Sequence, residues 1–146
     1  KLDGDFEGVD VSNKALDTAN KNCMYHGVKV SLNQFDVLNQ NLSTSYDIIV
    51  SNPPYVLSSE KKLLHDNIFF EPEIALFVDD KDPLVYYKRI VKIASRSLNS
   101  NGLLYLEINE KFGPDIVDLL KNHGFVNIEL KKDINDRNRM VKSVFK

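Results

Sequence analysis

The segment Ser51-Asn52-Pro53-Pro54-Tyr55 ends an apolar run in residue types that can do chemistry. A residue preceding proline is pushed out of the helical region into extended conformations. Asn52 and Pro53 both precede proline, so the segment is stiff and extended. Proline has no N–H, so neither Pro53 nor Pro54 can donate to a neighbouring strand. The side-chain oxygen of Asn52 and the carbonyl of Pro53 are left as acceptors in a fixed arrangement. Tyr55 adds a flat apolar face. Two acceptors beside a stacking platform suit a planar NH2 group with two hydrogens to give, such as a carboxamide or the exocyclic amine of adenine. Holding both hydrogens aims the nitrogen at an electrophile, which is orientation catalysis. Acceptors that strengthen as the nitrogen gains positive charge favour the transition state over the ground state. The plainer alternative is a turn that ends a strand and exposes an aromatic. The apolar strand directly before the segment favours the chemical reading.

The elements that must position this segment follow from periodicity and punctuation. Residues 6–9 read as a short strand ending at Asp10. Ser12 or Asn13 caps a helix whose apolar face is Leu16, Ala19, Cys23 and Met24; Gly27 ends it, with His26 in the last turn. Residues 28–32 alternate as a second strand, with Asp36 just beyond, and residues 39–45 are polar loop. Residues 46–51 are apolar almost throughout, the pattern of a central parallel strand covered on both faces. Residues 57–80 are long and irregular. Asp82-Pro83 pairs an N-cap with proline at the first helical position. The helix behind it places Tyr87, Ile90, Val91, Ala94 and Leu98 on one face, and Gly102 marks its exit. Residues 103–108 form another strand. Pro114 opens a helix with Ile116, Val117, Leu119 and Leu120, closed at Gly124. Residues 125–130 and 140–145 are the last strands, joined by a loop short enough for antiparallel pairing.

Strands alternating with helices predict an α/β fold with a mostly parallel sheet in one domain. Ligands of such sheets sit beyond the carboxyl ends of the strands. Asp10, Asp36, Asn52 and Glu107 fall at or near those ends. Each acid also has a plain alternative: Asp10 as a helix cap, Asp36 as a loop cap, Glu107 as a solvated strand-end carboxylate.

Composition narrows the class. The chain has 146 residues, 42% hydrophobic and 27% charged, enough for a real core. A net charge of −2 gives no bulk attraction to nucleic acid. Residues 131–146 carry six Lys/Arg against Asp133 and Asp136, which reads as a solvated face before a basic patch. The one cysteine, Cys23, leaves no internal disulfide and no cysteine-based metal site, and suits a small core thiol. His26, His65 and His123 share no spacing. No apolar run approaches the ~18 residues of a membrane span, and no signal peptide is visible, so the expected location is cytoplasmic.

Asn-Pro-Pro-Tyr after an apolar strand resembles the signature of S-adenosylmethionine-dependent methyltransferases that modify planar amino groups. Phe70-Glu71-Pro72, followed by Ala75 and Leu76, is similar to the glutamine amide methyltransferases of the HemK type. So are Leu106-Glu107 and the closing stretch with Asp133, Asp136, Arg137 and Arg139. The resemblance covers essentially the whole chain. It implies a Rossmann-like methyltransferase fold, mostly parallel with an antiparallel C-terminal strand. It also implies S-adenosylmethionine as cofactor and, as substrate, the glutamine of the Gly-Gly-Gln loop of a peptide chain release factor. By that likeness Asp10, with Val11, meets the ribose hydroxyls, and Asp36, with Val37, meets the adenine. Asn52, Pro53, Pro54 and Tyr55 hold the glutamine, Asn52 also bordering the cofactor, while Glu71 and Pro72 shape the loop over it. No metal and no covalent intermediate are expected. Two rivals stand beside this reading. One is a nucleic-acid adenine amino-methyltransferase, which shares the four residues. The other is a binding module without the chemistry.

The family pattern departs at the amino end. Its glycine-rich cofactor turn lies ahead of the acid-ended strand, and here none of Gly4, Gly8, Gly27, Gly102, Gly113 and Gly124 makes a G-x-G. The chain therefore reads as the carboxyl-terminal part of such an enzyme, cut inside its catalytic domain. A gap is expected beside the strand at 46–51. Either the strand at 6–9 moves in beside it, or a second copy supplies the pairing across a dimer. Close backbone approach to a cofactor needs residues without a side chain. Titration calorimetry of this chain with S-adenosylmethionine is therefore expected to show weak binding or none, and a micromolar dissociation constant overturns that expectation.

Overall fold

The computed structural model describes residues 4–63 and 72–146. Contacts divide the chain into two compact units, Lys1–Asn41 and Leu42–Lys146, each described by itself.

In the first unit, β1 (Glu7–Asp10) pairs in parallel with β2 (Ser31–Gln34), Asp10 standing opposite Gln34. The helix α1 (Asn13–His26) links them. Its caps are the ones the sequence announces. The Ser12 hydroxyl accepts from the Ala15 N–H at 3.3 Å, and Gly27 takes a left-handed φ of 62°. That conformation lets the Gly27 and Val28 N–H groups reach back to the Met24 and Cys23 carbonyls at 3.3 and 3.0 Å. The expected inward face is corrected at one position. Leu16, Ala19 and Cys23 are half-buried, but Met24 is 76% exposed. Strand β2 also starts three residues later than alternation suggests, because Val28 is spent on closing the helix.

In the second unit, β3 (Tyr46–Ser51), β6 (Leu98–Glu107), β8 (Asn138–Phe145) and β7 (Phe125–Lys132) lie in that spatial order. The β3–β6 pair is parallel, and β8 runs antiparallel to both β6 and β7. The helix α3 (Val85–Ser97) packs on β6, and α4 (Gly113–Asn122) on β7 and β8. Tyr87, Val91, Ala94, Leu104, Ile116, Leu120 and Val141 are within 1% of complete burial and form the core. The apolar faces read from the sequence for α3 and α4 turn inward, but α3 ends at Ser97, short of Gly102, and Leu98, read as its last apolar position, opens β6 instead. Helix α3 begins at Val85, not at Pro83: Asp82 contributes its carbonyl to the Val85 N–H and its carboxylate to Lys88, and does not cap the first turn.

Two further expectations are corrected. Residues 57–80 are not irregular throughout. β4 (Val56–Leu57) pairs with β5 (Phe77–Val78), and a 3-10 turn at Ser58–Leu63 and a short helix α2 (Glu73–Leu76) lie between them. And β3 is not covered on both faces: Ile48 and Val50 are 55% and 73% exposed. A β-branched run reports a strand but not its neighbours. Among the described residues β3 pairs with β6 alone, and β1 pairs with β2, not with β3.

The β3–β6 register slips between Tyr46 and Ile48, which face Leu98 and Leu103. The extra β6 residues turn through Asn101, at φ 65°, and Asn99 donates its amide to the Asp47 carboxylate at 2.9 Å. A Cβ on Gly102 would stand 2.8 Å from the Asn99 carbonyl oxygen and 3.2 Å from that of Asp47. Backbone carbonyls cannot swing aside as a flexible side chain can. Gly102→Ala is expected to lower stability by about 1–3 kcal/mol, read from the urea midpoint; an unchanged midpoint would mean the excursion is soft.

Candidate active site

Val50 and Ser51 of β3 stand opposite Tyr105 and Leu106 of β6, so both strands deliver their carboxyl ends to one place. The chain leaves the ladder at Asn52 because the next two residues have no N–H to give. Pro53 is buried, Pro54 is half-buried and Asn52 is exposed. The Asn52 side chain makes no hydrogen bond to any described residue. Its amide oxygen is thus an acceptor held on a stiff segment.

Tyr55 is fastened at both ends by residues that close β6. The Asn109 side-chain amide donates to the Tyr55 carbonyl at 3.0 Å. The Tyr55 hydroxyl donates to Glu107 Oε1 at 2.7 Å. Arg139 Nη1 donates to the same hydroxyl at 3.4 Å, and its guanidinium carbon lies 6.0 Å from the ring centroid. Arg139 Nε in turn donates to Asp133 at 3.3 Å. Behind them, the buried Tyr87 hydroxyl donates to the Glu107 carbonyl and accepts from the Asn109 N–H, both at 3.3 Å. Asn109 Oδ1 accepts from the Lys111 N–H at 3.0 Å. The polar groups of this buried corner are therefore partnered, as burial requires.

A cavity of about 380 Å³ opens beside the segment, walled by Val50, Asn52, Tyr105, Glu107, Met140 and Lys142 among others. That volume lies within the rough 300–1,000 Å³ range of small-ligand pockets. Glu107 contributes to it, so its carboxylate is more than a solvated strand end.

The two acids of the first unit differ. Asp10 ends β1, and one of its carboxylate oxygens accepts from the Ser12 N–H at 2.7 Å; the other has no partner among the described residues. Val11 is exposed and its carbonyl accepts from the Gln34 amide at 3.0 Å. Asp36 uses both oxygens on its own loop, accepting from the Leu38 N–H at 2.9 Å and the Asn39 amide at 2.7 Å; Val37 beside it is half-buried. A carboxylate has about four lone-pair sites, and the second oxygen of Asp10 keeps its capacity among the described residues. Asp10 and Asp36 belong to the first unit, Asn52 to Tyr55 to the second. Glu71, with Phe70 and His65, lies outside the described residues. Pro72 is exposed and leads into α2. Asn109 and the polar role of Tyr87 escaped the sequence reading. An asparagine two residues past the strand-end acid was the available signal.

The profile of a family described as the methyltransferase small domain matches residues 2–77. A release factor glutamine methyltransferase of Flavobacterium psychrophilum is 46% identical over 140 residues, which cover 94% of this chain and 49% of that protein. The chain spans about half the length of the release factor glutamine methyltransferases it first matches. Among solved structures, a methyltransferase from Pyrococcus furiosus superposes with a TM-score of 0.68 at 15% identity, over 96% of this chain and 62% of that one. An S-adenosylmethionine-dependent methyltransferase from Clostridium acetobutylicum gives 0.62 at 14%, over 97% and 75%. At these identities the likeness to solved structures is one of fold.

Burial, then the Glu107 hydrogen bond and charge, push the Tyr55 phenol above the ordinary tyrosine value, with Arg139 opposing. Burial raises Tyr87 further. For a folded-state pKa above the unfolded value, stability is full below the unfolded pKa, about 10, and is lost as pH rises through the folded one. Alkaline titration followed by tyrosinate absorbance should therefore show a late component that coincides with loss of stability. Tyr55→Phe should remove part of it; a titration unchanged by that substitution would contradict the Tyr55–Glu107 contact.

Proposed function

The chain belongs to the methyltransferase small-domain family, and from that premise we propose that it carries the amide-holding part of an enzyme that methylates a glutamine side chain. The target is the glutamine of the Gly-Gly-Gln loop of a peptide chain release factor. The chain has the Rossmann-like fold of S-adenosylmethionine-dependent methyltransferases. The observation that carries the proposal is the acceptor pair at the end of β3. Among the described residues the Asn52 side chain has no hydrogen-bond partner, and Pro53 cannot donate.

In this reading Asn52 Oδ1 and the Pro53 carbonyl accept the two amide hydrogens of the glutamine, and the Tyr55 ring covers the amide plane. S-adenosylmethionine supplies a methyl group on a sulfonium, which is already a good electrophile. The chain's own work would be alignment of the amide nitrogen with that methyl, so that the nitrogen–carbon bond could form as the carbon–sulfur bond breaks, the sulfur leaving as a neutral thioether and the nitrogen's proton passing to solvent. Asp10 fits a cofactor that presents ribose hydroxyls, because it is exposed at a strand end and one of its oxygens has no partner among the described residues. Asp36 and Val37 fit the adenine side less openly, since the Asp36 carboxylate also holds its own loop. Val11 borders Asp10. Glu71 keeps the substrate-loop role that the family resemblance implies.

The close relatives named for glutamine methylation support a release factor over adenine in nucleic acid, which offers the same two hydrogens. Methylation of a release factor and of adenine-containing DNA or RNA, compared in the full-length protein, separates the two. Asn52→Ala in that protein is expected to lower turnover on a Gly-Gly-Gln substrate by about 10²–10³. Cofactor affinity should stay within a few-fold, because the lost acceptor serves the amide. Near wild-type turnover would sink the assignment.

A further inference from the structure

We propose that Glu107 is a positioning residue for methyl transfer, acting through Tyr55 to hold the Asn52–Pro53 acceptor pair in register with the amide. The inference rests on the function proposed above. A segment of two prolines has no N–H to place in a ladder, so it must be fixed by its ends and by its acceptors. Its front end is fixed where Ser51 pairs with Leu106. Its back end is Tyr55, whose carbonyl and hydroxyl are both held by the end of β6. Asn109 takes the carbonyl at 3.0 Å and Glu107 takes the hydroxyl at 2.7 Å. Between these two points the chain is stiff, so moving Tyr55 moves Pro53 and Asn52 with it.

The Tyr55 ring is also the surface that would cover the amide. Glu107 holds the hydroxyl end of that ring, and Arg139, tied to Asp133, donates to the same hydroxyl. Asn109 is the less informative half of the clamp, since it also bonds Lys111. Glu107 has no other side-chain partner among the described residues than Tyr55. Its removal therefore tests the clamp with least collateral damage. The contact also means that the Tyr55 hydroxyl is not idle, so Tyr55→Phe is not a silent change.

The test is a double-mutant cycle in the full-length protein with a Gly-Gly-Gln release factor and S-adenosylmethionine. Misplacement of about 1 Å can cost roughly 10²-fold. Glu107→Ala should lower kcat by about 10- to 100-fold while the KM for S-adenosylmethionine stays within a few-fold. Glu107→Gln keeps an oxygen that accepts the hydroxyl hydrogen and should recover most of the loss. Tyr55→Phe combined with Glu107→Ala should lose no more than Glu107→Ala alone, because both changes break one contact. Thermal unfolding of each variant shows whether the fold survives, and a kcat loss that merely tracks unfolding overturns the proposal. Additive losses in an active wild type also overturn it. Glu107→Gln as damaging as Glu107→Ala does so as well, and would assign the charge itself to substrate or cofactor. A folded wild type that methylates no Gly-Gly-Gln substrate removes the proposed function, and the positioning role with it.

Discussion

Strand β6 is bonded on both sides, in parallel to β3 and antiparallel to β8, and the geometry of the second unit is referred to it. Its buried face, Leu104 and Leu106, lies in the core, where α3 packs on the strand. Its other face, Tyr105 and Glu107, borders the cavity. One strand therefore joins the hydrophobic core to the polar corner. A change in its register by one residue would exchange the two sets of side chains. The antiparallel ladder from Leu103 to Glu107 against Val144 to Met140 resists that slip. The excursion at Asn101 and Gly102 absorbs the mismatch at the far end, away from Asn52.

The corner itself is polar and partly buried, which is costly unless every group finds a partner. Tyr87 shows how that is arranged. Its hydroxyl sits in the core and bridges a carbonyl of β6 to the N–H of Asn109. Asn109 then bonds forward to Lys111 and sideways to Tyr55. Packing of α3 against the sheet is thereby connected to the placement of the Tyr55 backbone. The closing hairpin enters through Arg139, whose carbonyl accepts from the Ile108 N–H at 2.9 Å. The basic residues near the carboxyl end are thus not one patch: Arg139 bonds Tyr55 and Asp133, while Lys142 borders the cavity and is paired with Glu129.

What was legible in the sequence is what local chemistry decides. The caps of α1, the inward faces of α3 and α4, and the strand Tyr46–Ser51 with its abrupt stop at Asn52 all follow from spacing and residue type. What was not legible depends on partners far along the chain. Glu107 and Arg139 lie 52 and 84 residues from Tyr55, and no periodicity links them. The exposure of Ile48 and Val50 was hidden for the same reason, since a strand's sequence does not state which of its faces another element covers. Asp36 was read both as a ligand acid and as a loop cap. The structure places its carboxylate in the loop, with both oxygens engaged there.

The two prolines create a need that the rest of the site answers. Replacing N–H groups by rings leaves the Pro53 carbonyl and Asn52 free to receive a substrate's hydrogens, but it also strips the segment of the donors that would tie it down. Such a segment can be held only by donors that come from elsewhere, and each acceptor used for holding is one lost to binding. Here the holding falls on Tyr55, beyond the acceptor pair: its carbonyl receives Asn109, and its hydroxyl donates to Glu107. Anchoring is thereby displaced by two residues from the atoms that would meet the amide. An aromatic without a hydroxyl at position 55 would offer the same apolar face but lose the bond to Glu107, leaving the carbonyl bond from Asn109 and the β4–β5 pairing that begins at Val56.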